Sequence, residues 1–209
     1  YKYDLRYSER SALVASVQQM LALNAEGDEE LRAAQAQLKQ WDYNSERANR
    51  GAALALLATT PVIRAQEAKL PVPDLRESLL AAANTLKQHF GRLDPEWAEV
   101  NRIVRGETNL ALDGSWDSLR SVWGEAQEDG TLKAVAGDTY ILFVEWDQQG
   151  KLSSDSIHQF GSATLDSRSP HYADQVPEFV EMKTKPVWFT EDQLAGHIQR
   201  EYRPASPAQ

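Results

Sequence analysis

The sequence predicts an α+β protein in which a layer of helices comes first and strands follow. Three observations support this class. Apolar residues recur at three- and four-residue steps through the first half of the chain, which is typical of amphipathic helices. After Gly106, turn pairs such as Asp113-Gly114 and Gln149-Gly150 separate short segments. The segment from Thr139 to Trp146 carries apolar residues at alternate positions, as a strand does.

The first half is expected to form five helices joined by short loops, in a helical layer or bundle. The predicted ranges are Ser8 to Asn24, Glu29 to Trp41, Ala48 to Gln66, Leu75 to Phe90 and Pro95 to Val104. Asp74 is the predicted N-cap of the fourth helix and Gly91 its C-terminal stop. Because proline has no backbone N–H, Pro61 is expected to kink or end the third helix.

The segment from Thr139 to Trp146 is the clearest strand of the second half. Because it is apolar on both faces, it is expected to be buried between two layers. The segment from Asp147 to Gly150 is typical of a hairpin loop, which leads to a more polar strand around Ser154 to Phe160. Since a two-stranded hairpin is not stable alone, the rest of the sheet is expected to come from polypeptide outside this chain. Short helical pieces are predicted near Tyr172 to Met182 and Glu191 to Glu201.

Composition excludes several classes of function. The 209 residues contain no cysteine, which rules out disulfides, thiolate metal sites and cysteine nucleophiles. Lys and Arg number 22 against 31 Asp and Glu, a formal charge of −9, and this balance disfavours nucleic acid as a partner. No apolar run approaches the ~20 residues of a membrane span. The chain opens on Tyr1 without a start Met or a signal peptide, so it is expected to be the interior of a longer protein.

Side chains with catalytic potential form no complete motif. None of the four histidines, His89, His158, His171 and His197, stands in a metal-binding spacing. Ser169, His171 and Asp174 are close in sequence, but a triad requires convergence in space, so a turn leading into a helix is the favoured interpretation. Trp116 and Trp123 are seven residues apart and are either an aromatic ligand platform or, as is favoured, core anchors.

A set of short motifs in the second half resembles the late β chain of the penicillin acylase family. The motifs are Trp97 to Arg102, Arg105-Gly106, Leu112 to Gly114, Asp117 to Arg120, Gly137 to Tyr140, Ser169 to Gln175 and Lys185 to Phe189. They follow the family order over most of the range from residue 97 to 189. Within the family, the sequence looks nearest to the acyl-homoserine lactone and aculeacin type acylases.

The resemblance implies an N-terminal nucleophile hydrolase, whose fold is an αββα sheet sandwich. Such enzymes are exported zymogens that cleave themselves into α and β chains. The β chain then begins with a nucleophilic serine whose own α-amino group is the base, and an asparagine helps to hold the oxyanion. The implied reaction cleaves an amide and releases an acyl chain, from acyl-homoserine lactones or penicillin-like amides. The implied location is periplasmic or secreted.

The sequence departs from the family pattern at its start, because residue 1 is Tyr. The nucleophile and the oxyanion asparagine are therefore expected outside this chain, as are the family's calcium ligands, and no cofactor or metal is expected within it. One supporting residue is carried over: Arg10 is the best match to an arginine near the active site, and Arg6 is second. The alternative for Arg10 is a solvent-facing helical arginine in charge pairs with Glu9.

The expected organisation has three parts. Residues 1–106 form a helical segment, residues 107–203 contribute a strand hairpin and C-terminal helices that complete the hydrolase core, and residues 204–209 are a tail. The leading hypothesis is that the chain is the C-terminal part of an acylase β chain and is inactive alone. Its expected partners are the remainder of the acylase and a small acyl amide substrate. Neither nucleic acid nor a membrane is expected as a partner. The alternative is a non-catalytic helical binding or scaffolding domain that docks through Gly51 to Ala53 and Ala81 to Ala83.

Overall fold

The structure of the protein, a computed structural model, describes residues 1–201 and 203. The helices are α1 (Ala12–Leu21), α2 (Glu29–Leu38), α3 (Ala52–Glu67), α4 (Leu75–Phe90), α5 (Trp97–Val100), α6 (Val176–Val180) and α7 (Glu191–Leu194). The strands are β1 (Asn101–Arg105), β2 (Thr108–Ala111), β3 (Val122–Ala126), β4 (Leu132–Gly137), β5 (Tyr140–Trp146), β6 (Leu152–His158) and β7 (Lys185–Pro186). The predicted α+β class is therefore confirmed, while the predicted tail at residues 204–209 lies outside the described residues.

Local capping signals set the ends of α4. The Asp74 carboxylate accepts the backbone N–H groups of Arg76 at 2.9 Å and Glu77 at 3.0 Å. Gly91 ends the helix in the left-handed conformation, with φ of 70°, which glycine adopts without a steric penalty. The predicted bounds of this helix are confirmed at both ends.

Replacing Asp74 by Ala is expected to lower the free energy of unfolding by about 1 kcal/mol, because two N–H groups at the start of α4 lose their acceptor. The measurement is urea unfolding of the full-length protein. The control is Glu77→Ala, which removes an exposed first-turn acid of the same helix that makes no capping bond. Equal losses in the two variants would contradict the assigned cap.

Helix α3 is the centre of the helical core. Nine of its sixteen residues are buried, and it packs against α4 and α1. The helix continues through Pro61 to Glu67. Of the two predicted effects of Pro61, a kink in the helix or its end, the predicted end is therefore wrong. The side chains of Val62 and Ile63, just beyond the proline, are buried. Their burial offsets the roughly 3 kcal/mol that a proline costs inside a helix.

The fifth predicted helix is wrong in its second half. Helix α5 ends at Val100, and the backbone becomes extended at Asn101, with φ of −93° and ψ of 112°. The Asn101 side chain donates to the Leu112 carbonyl at 2.8 Å, and the Asn101 carbonyl accepts the Leu112 N–H at 3.0 Å. This pairing across the chain outweighs local helix propensity. The expected division at residue 106 falls in the turn between β1 and β2, and it stays a prediction.

Two hairpins make a four-stranded sheet in the order β2-β1-β4-β3. β1 with β2 and β3 with β4 are antiparallel, and a short parallel pairing of β1 with β4 joins them at Asn101 with Leu132 and Arg102 with Lys133. β3 and β4 were not predicted, because their sequences show turns at their ends without a strong apolar alternation. A second sheet has the order β5-β6-β7, and the predicted hairpin of β5 with β6 is confirmed.

The burial expected for β5 is wrong for the described residues. Ile141 is buried, but Tyr140 is 56% exposed and Trp146 is 65% exposed. β5 lies at the edge of its sheet and pairs with β6 alone, so one edge and much of both faces meet no neighbour among residues 1–201 and 203. The predicted C-terminal helices exist only as the short α6 and α7.

The side chains that hold the two sheets together form a second hydrophobic cluster, separate from the helical core. Ile103 and Val122 of the first sheet meet Ile141 and Ile157 of the second, and Phe179 of α6 closes the cluster. None of the described helices has the length and apolar character that a bilayer span requires.

Candidate functional site

The N-terminal segment, residues 1–11, links the helical core to the β5 sheet. The Lys2 ammonium donates to the Leu119 carbonyl at 2.7 Å and lies 2.6 Å from an Asp138 carboxylate oxygen. The Tyr3 ring packs edge-on against Phe143 of β5, with centroids 5.9 Å apart. The segment therefore runs beside the exposed strand before it enters the helices.

Tyr7 anchors the same segment in the helical core. Its buried hydroxyl donates to the Trp116 carbonyl at 2.8 Å and also pairs with the Ser115 hydroxyl. The ring packs against Trp41, with centroids 5.5 Å apart. Burial raises the pKa of Tyr7 well above its ordinary value, so the hydroxyl stays a hydrogen-bond donor at neutral pH. The backbone just ahead of α1 is thereby fixed.

Arg10 follows this anchor and lies in the turn before α1, not within the helix. Its side chain is exposed, and along residues 1–201 and 203 it makes no hydrogen bond or ion pair. The next residue, Ser11, caps α1 and donates to the Asp117 carboxylate at 3.1 Å. Arg6, the second candidate, lies 3.9 Å from the exposed carboxylate of Asp42. The structure thus presents Arg10 as an unpaired cation on a fixed turn, and its role stays a prediction.

A buried polar cluster of Tyr3, Arg120 and Asp138 lies beneath the N-terminal segment. Arg120 is fully buried and donates to the Phe179 carbonyl at 2.5 Å. Burial lowers the pKa of the Arg120 guanidinium, and the nearby Asp138 carboxylate opposes this shift. The Tyr3 hydroxyl, two guanidinium nitrogens and one Asp138 oxygen are buried with no hydrogen-bond partner in the described part of the chain.

Sequence reasoning missed this cluster. Arg120 stands in the quoted motif Asp117 to Arg120, but nothing in the sequence links it to Tyr3 and Asp138, which are far from it along the chain. The cluster is created by tertiary packing of the N-terminal segment against the loop before β3 and the end of β4.

Ser169, His171 and Asp174 do not form a triad. His171 Nδ1 lies 2.7 Å from an Asp174 carboxylate oxygen, but the Ser169 hydroxyl accepts the backbone N–H of His171 at 3.1 Å. The serine oxygen is therefore used in a local turn and does not meet the imidazole. This agrees with the predicted turn that leads into α6. No group of three His, Cys, Asp or Glu side chains that could hold a metal ion occurs among the described residues.

Trp116 and Trp123 form a T-shaped pair with ring centroids 4.9 Å apart. The Arg64 guanidinium lies 4.5 Å from the Trp123 ring and 5.2 Å from the Trp116 ring. The Trp116 indole N–H donates to the Glu67 carboxylate at 3.1 Å. Both rings are half-buried and line a cavity of about 720 Å³ between α3 and the four-stranded sheet. The two interpretations drawn from the sequence, platform and core anchor, therefore both remain open.

Comparisons with known proteins identify relatives of this chain. Acyl-homoserine lactone acylase PvdQ of Pseudomonas fluorescens strain Pf-5 is 27% identical over 128 residues, and PvdQ of strain Pf0-1 is 26% identical over the same length. Each match covers 60% of this chain and 16% of the relative, so the matched part is about a sixth of the relatives' length. The resemblance to penicillin acylases, and to acyl-homoserine lactone acylases in particular, is confirmed.

A family model described as penicillin amidase matches residues 3–196. The match includes residues 3–11 of the N-terminal segment, the helical core and both sheets. Because it spans nearly the whole sequence, the chain belongs to the penicillin amidase family.

Proposed function

We propose that these residues are the C-terminal part of the β chain of an acylase. The whole enzyme cleaves an amide and releases an acyl chain, from acyl-homoserine lactones or from penicillin-like amides. Membership of the penicillin amidase family supports the reaction class. The names of the relatives, acyl-homoserine lactone acylases, support the first substrate class.

The single observation that carries the proposal is the exposed edge strand β5. Leu142, Phe143 and Val144 are each about 40% exposed, although a strand of this composition is typical of a sheet interior. Its outer edge also presents backbone N–H and C=O groups without strand partners among the described residues. We infer that the remainder of the acylase supplies the adjoining strands and covering layer, which complete an αββα sandwich.

In the proposed mechanism, the nucleophile is a serine at the start of the β chain, outside these 209 residues. Its α-amino group accepts the hydroxyl proton, the serine oxygen attacks the amide carbonyl, and the amine leaves with a proton. An asparagine and backbone N–H groups hold the oxyanion, and water then hydrolyses the acyl-enzyme. The residues of this chain act in support: Tyr7 fixes the segment that carries Arg10, and the Arg10 guanidinium supports the catalytic part.

Other features of the family follow as proposals. The enzyme is made as a zymogen, cuts itself into two chains and works in the periplasm or outside the cell. Any calcium ion is held by residues outside this chain, and no cofactor is needed within it.

The test uses the full-length protein with N-decanoyl-homoserine lactone and with penicillin V, measuring the amine released. We expect hydrolysis of at least one of them, and N-terminal sequencing of the processed chain that contains these residues should give serine. Replacing that serine by Ala should abolish turnover, while Ser167→Ala, which changes an exposed serine in a surface turn, serves as the control and keeps it. Absence of turnover on both amides would contradict the proposed reaction, and robust turnover by the 209 residues alone would contradict the proposed location of the nucleophile.

The alternative, a non-catalytic binding or scaffolding domain, loses part of its support in the structure. Gly51, Ala52 and Ala53 are buried, and a Cβ at Gly51 would lie 2.7 Å from the Trp41 Cα. These small residues therefore serve close packing within the chain and are not free to dock a partner. Cooperative melting of the 209 residues as a monomer would favour the alternative.

A further inference from the structure

We propose that the cavity between α3 and the four-stranded sheet binds a single-chain anionic amphiphile, an alkyl carboxylate. The alkyl chain lies among the apolar side chains of the cavity, and the carboxylate binds the Arg64 guanidinium at the mouth. The inference does not depend on the proposed amide-cleaving function.

The interior of the cavity suits an alkyl chain. Its volume of about 720 Å³ falls within the range of roughly 300–1,000 Å³ that is usual for small-molecule sites. The apolar side chains that line it come from both layers of the fold and include Leu56, Leu57, Trp97, Val122 and Leu132. Leu56 and Trp97 are 1% exposed, so the inner part of the cavity is walled by rigid, closely packed core residues.

The mouth of the cavity carries an oriented cation. The Arg64 guanidinium carbon lies 4.5 Å from the Trp123 ring centroid and 5.2 Å from that of Trp116, so cation–π attraction to the two indoles holds the group in place. Arg64 makes no hydrogen bond or ion pair within residues 1–201 and 203, so its N–H donors are free. A guanidinium that is held at the mouth with unpaired N–H donors matches the two oxygens of a carboxylate.

The acidic groups at the rim limit the charge of the ligand. The Glu67 carboxylate is engaged by the Trp116 indole N–H, and Glu125 lies on the exposed side of the cavity. Two nearby carboxylates disfavour a polyanion, while a cationic ligand would find the indole faces already occupied by Arg64. A single carboxylate on an apolar tail is the chemistry that fits both the interior and the mouth.

The experiment measures binding to the full-length protein by calorimetry with decanoate, and by tryptophan quenching with ω-bromoundecanoate. We expect saturable binding that quenches indole emission, and Arg64→Gln should weaken decanoate binding by about tenfold or more. The control Arg32→Gln removes an exposed arginine from α2 and should leave decanoate affinity unchanged. Trp123→Phe should remove a large share of the tryptophan emission that ω-bromoundecanoate quenches in the unmodified protein.

A comparison of ligands on the unmodified protein tests the same idea without a variant. Decanoate should bind about tenfold more tightly than 1-decanol, and this preference should vanish in Arg64→Gln. Decanoate that binds with equal affinity to Arg64→Gln and the unmodified protein occupies another site, which overturns the proposal. Absence of tryptophan quenching, as expected if another segment of the protein fills the cavity, overturns it too. Amide hydrolysis measured on the same samples reports separately on the proposed function.

Discussion

Replacing Gly114 by Ala is expected to lower the free energy of unfolding by at least about 3 kcal/mol. Gly114 has φ of 91°, and a Cβ there would lie 2.2 Å from the Arg120 carbonyl oxygen and 2.7 Å from the Arg120 Cγ. The backbone cannot move away freely, because the Gly114 N–H donates to the Ser45 carbonyl at 2.9 Å and its carbonyl accepts the Trp97 indole N–H at 2.9 Å. The added methyl group therefore strains a point where helices and sheet are joined.

The matched control is Gly150→Ala, which also places a side chain at positive φ, 78°, but with no atom within 4 Å of the new Cβ. It should cost about 1 kcal/mol, the conformational penalty alone. Urea unfolding of the full-length protein measures both variants. If Gly114→Ala does not accumulate as folded protein, that result also agrees with the large expected loss of stability. If its unfolding midpoint matched that of Gly150→Ala, the close contact with Arg120 would be refuted.

Replacing Arg10 by Ala in the full-length protein is expected to lower kcat for acyl amide hydrolysis by about 100-fold, with a KM change below about threefold. The reason is that the turn before α1 is fixed by Tyr7 and Ser11, while the Arg10 side chain is exposed and unpaired in the described part of the chain. In the proposed supporting role, its loss removes a charge near the reacting groups without removing a contact that holds the fold. The free energy of unfolding should therefore change by less than about 0.5 kcal/mol.

Arg6→Ala is the control for this variant. Arg6 is also exposed on the N-terminal segment, and its guanidinium lies 3.9 Å from the Asp42 carboxylate, so its replacement should change neither kcat nor stability appreciably. Arg10→Lys, which keeps the charge but not the planar fork, should recover part of the lost kcat. A loss of activity in Arg6→Ala together with normal activity in Arg10→Ala would transfer the supporting role to Arg6.

The elements that local signals define were predictable from the sequence. For α4, an aspartate N-cap at Asp74 and a left-handed glycine at Gly91 fixed both ends, because each signal acts within one helical turn. The hairpin of β5 and β6 followed in the same way from the turn at Asp147 to Gly150 and the apolar alternation before it.

Elements that depend on distant partners were not predictable. The residues around Asn101 have ordinary helix propensity, yet they form β1 because Leu112 and Leu132 offer backbone partners. The prediction that β5 is buried is wrong because its apolar composition suits a sheet interior covered on both faces. The described residues do not cover both faces of this strand. Both cases show tertiary context prevailing over local pattern.

The candidate site was predictable only in part. Arg10 was reached through the family resemblance and not through any pattern of charge or spacing. The buried contacts of Tyr3 with Arg120 and Asp138 join residues more than a hundred positions apart, which no local motif indicates. The spacing of Trp116 and Trp123 indicates an aromatic pair, but the Arg64 guanidinium that packs against them comes from a different element.

The exposed strand β5 also has a consequence for how the protein can be made. Tyr140, Ile141, Leu142, Phe143 and Val144 are consecutive, apolar and free of proline and charge, which is the signature of segments that self-associate into stacked sheets. Within the described part of the chain its outer edge is unpaired, and such an edge is a template for aggregation until a neighbour covers it. Refolding of these residues therefore depends on shielding of this strand, by the adjoining strands of the proposed acylase or by a chaperone, and dilute preparations should give the highest soluble yield.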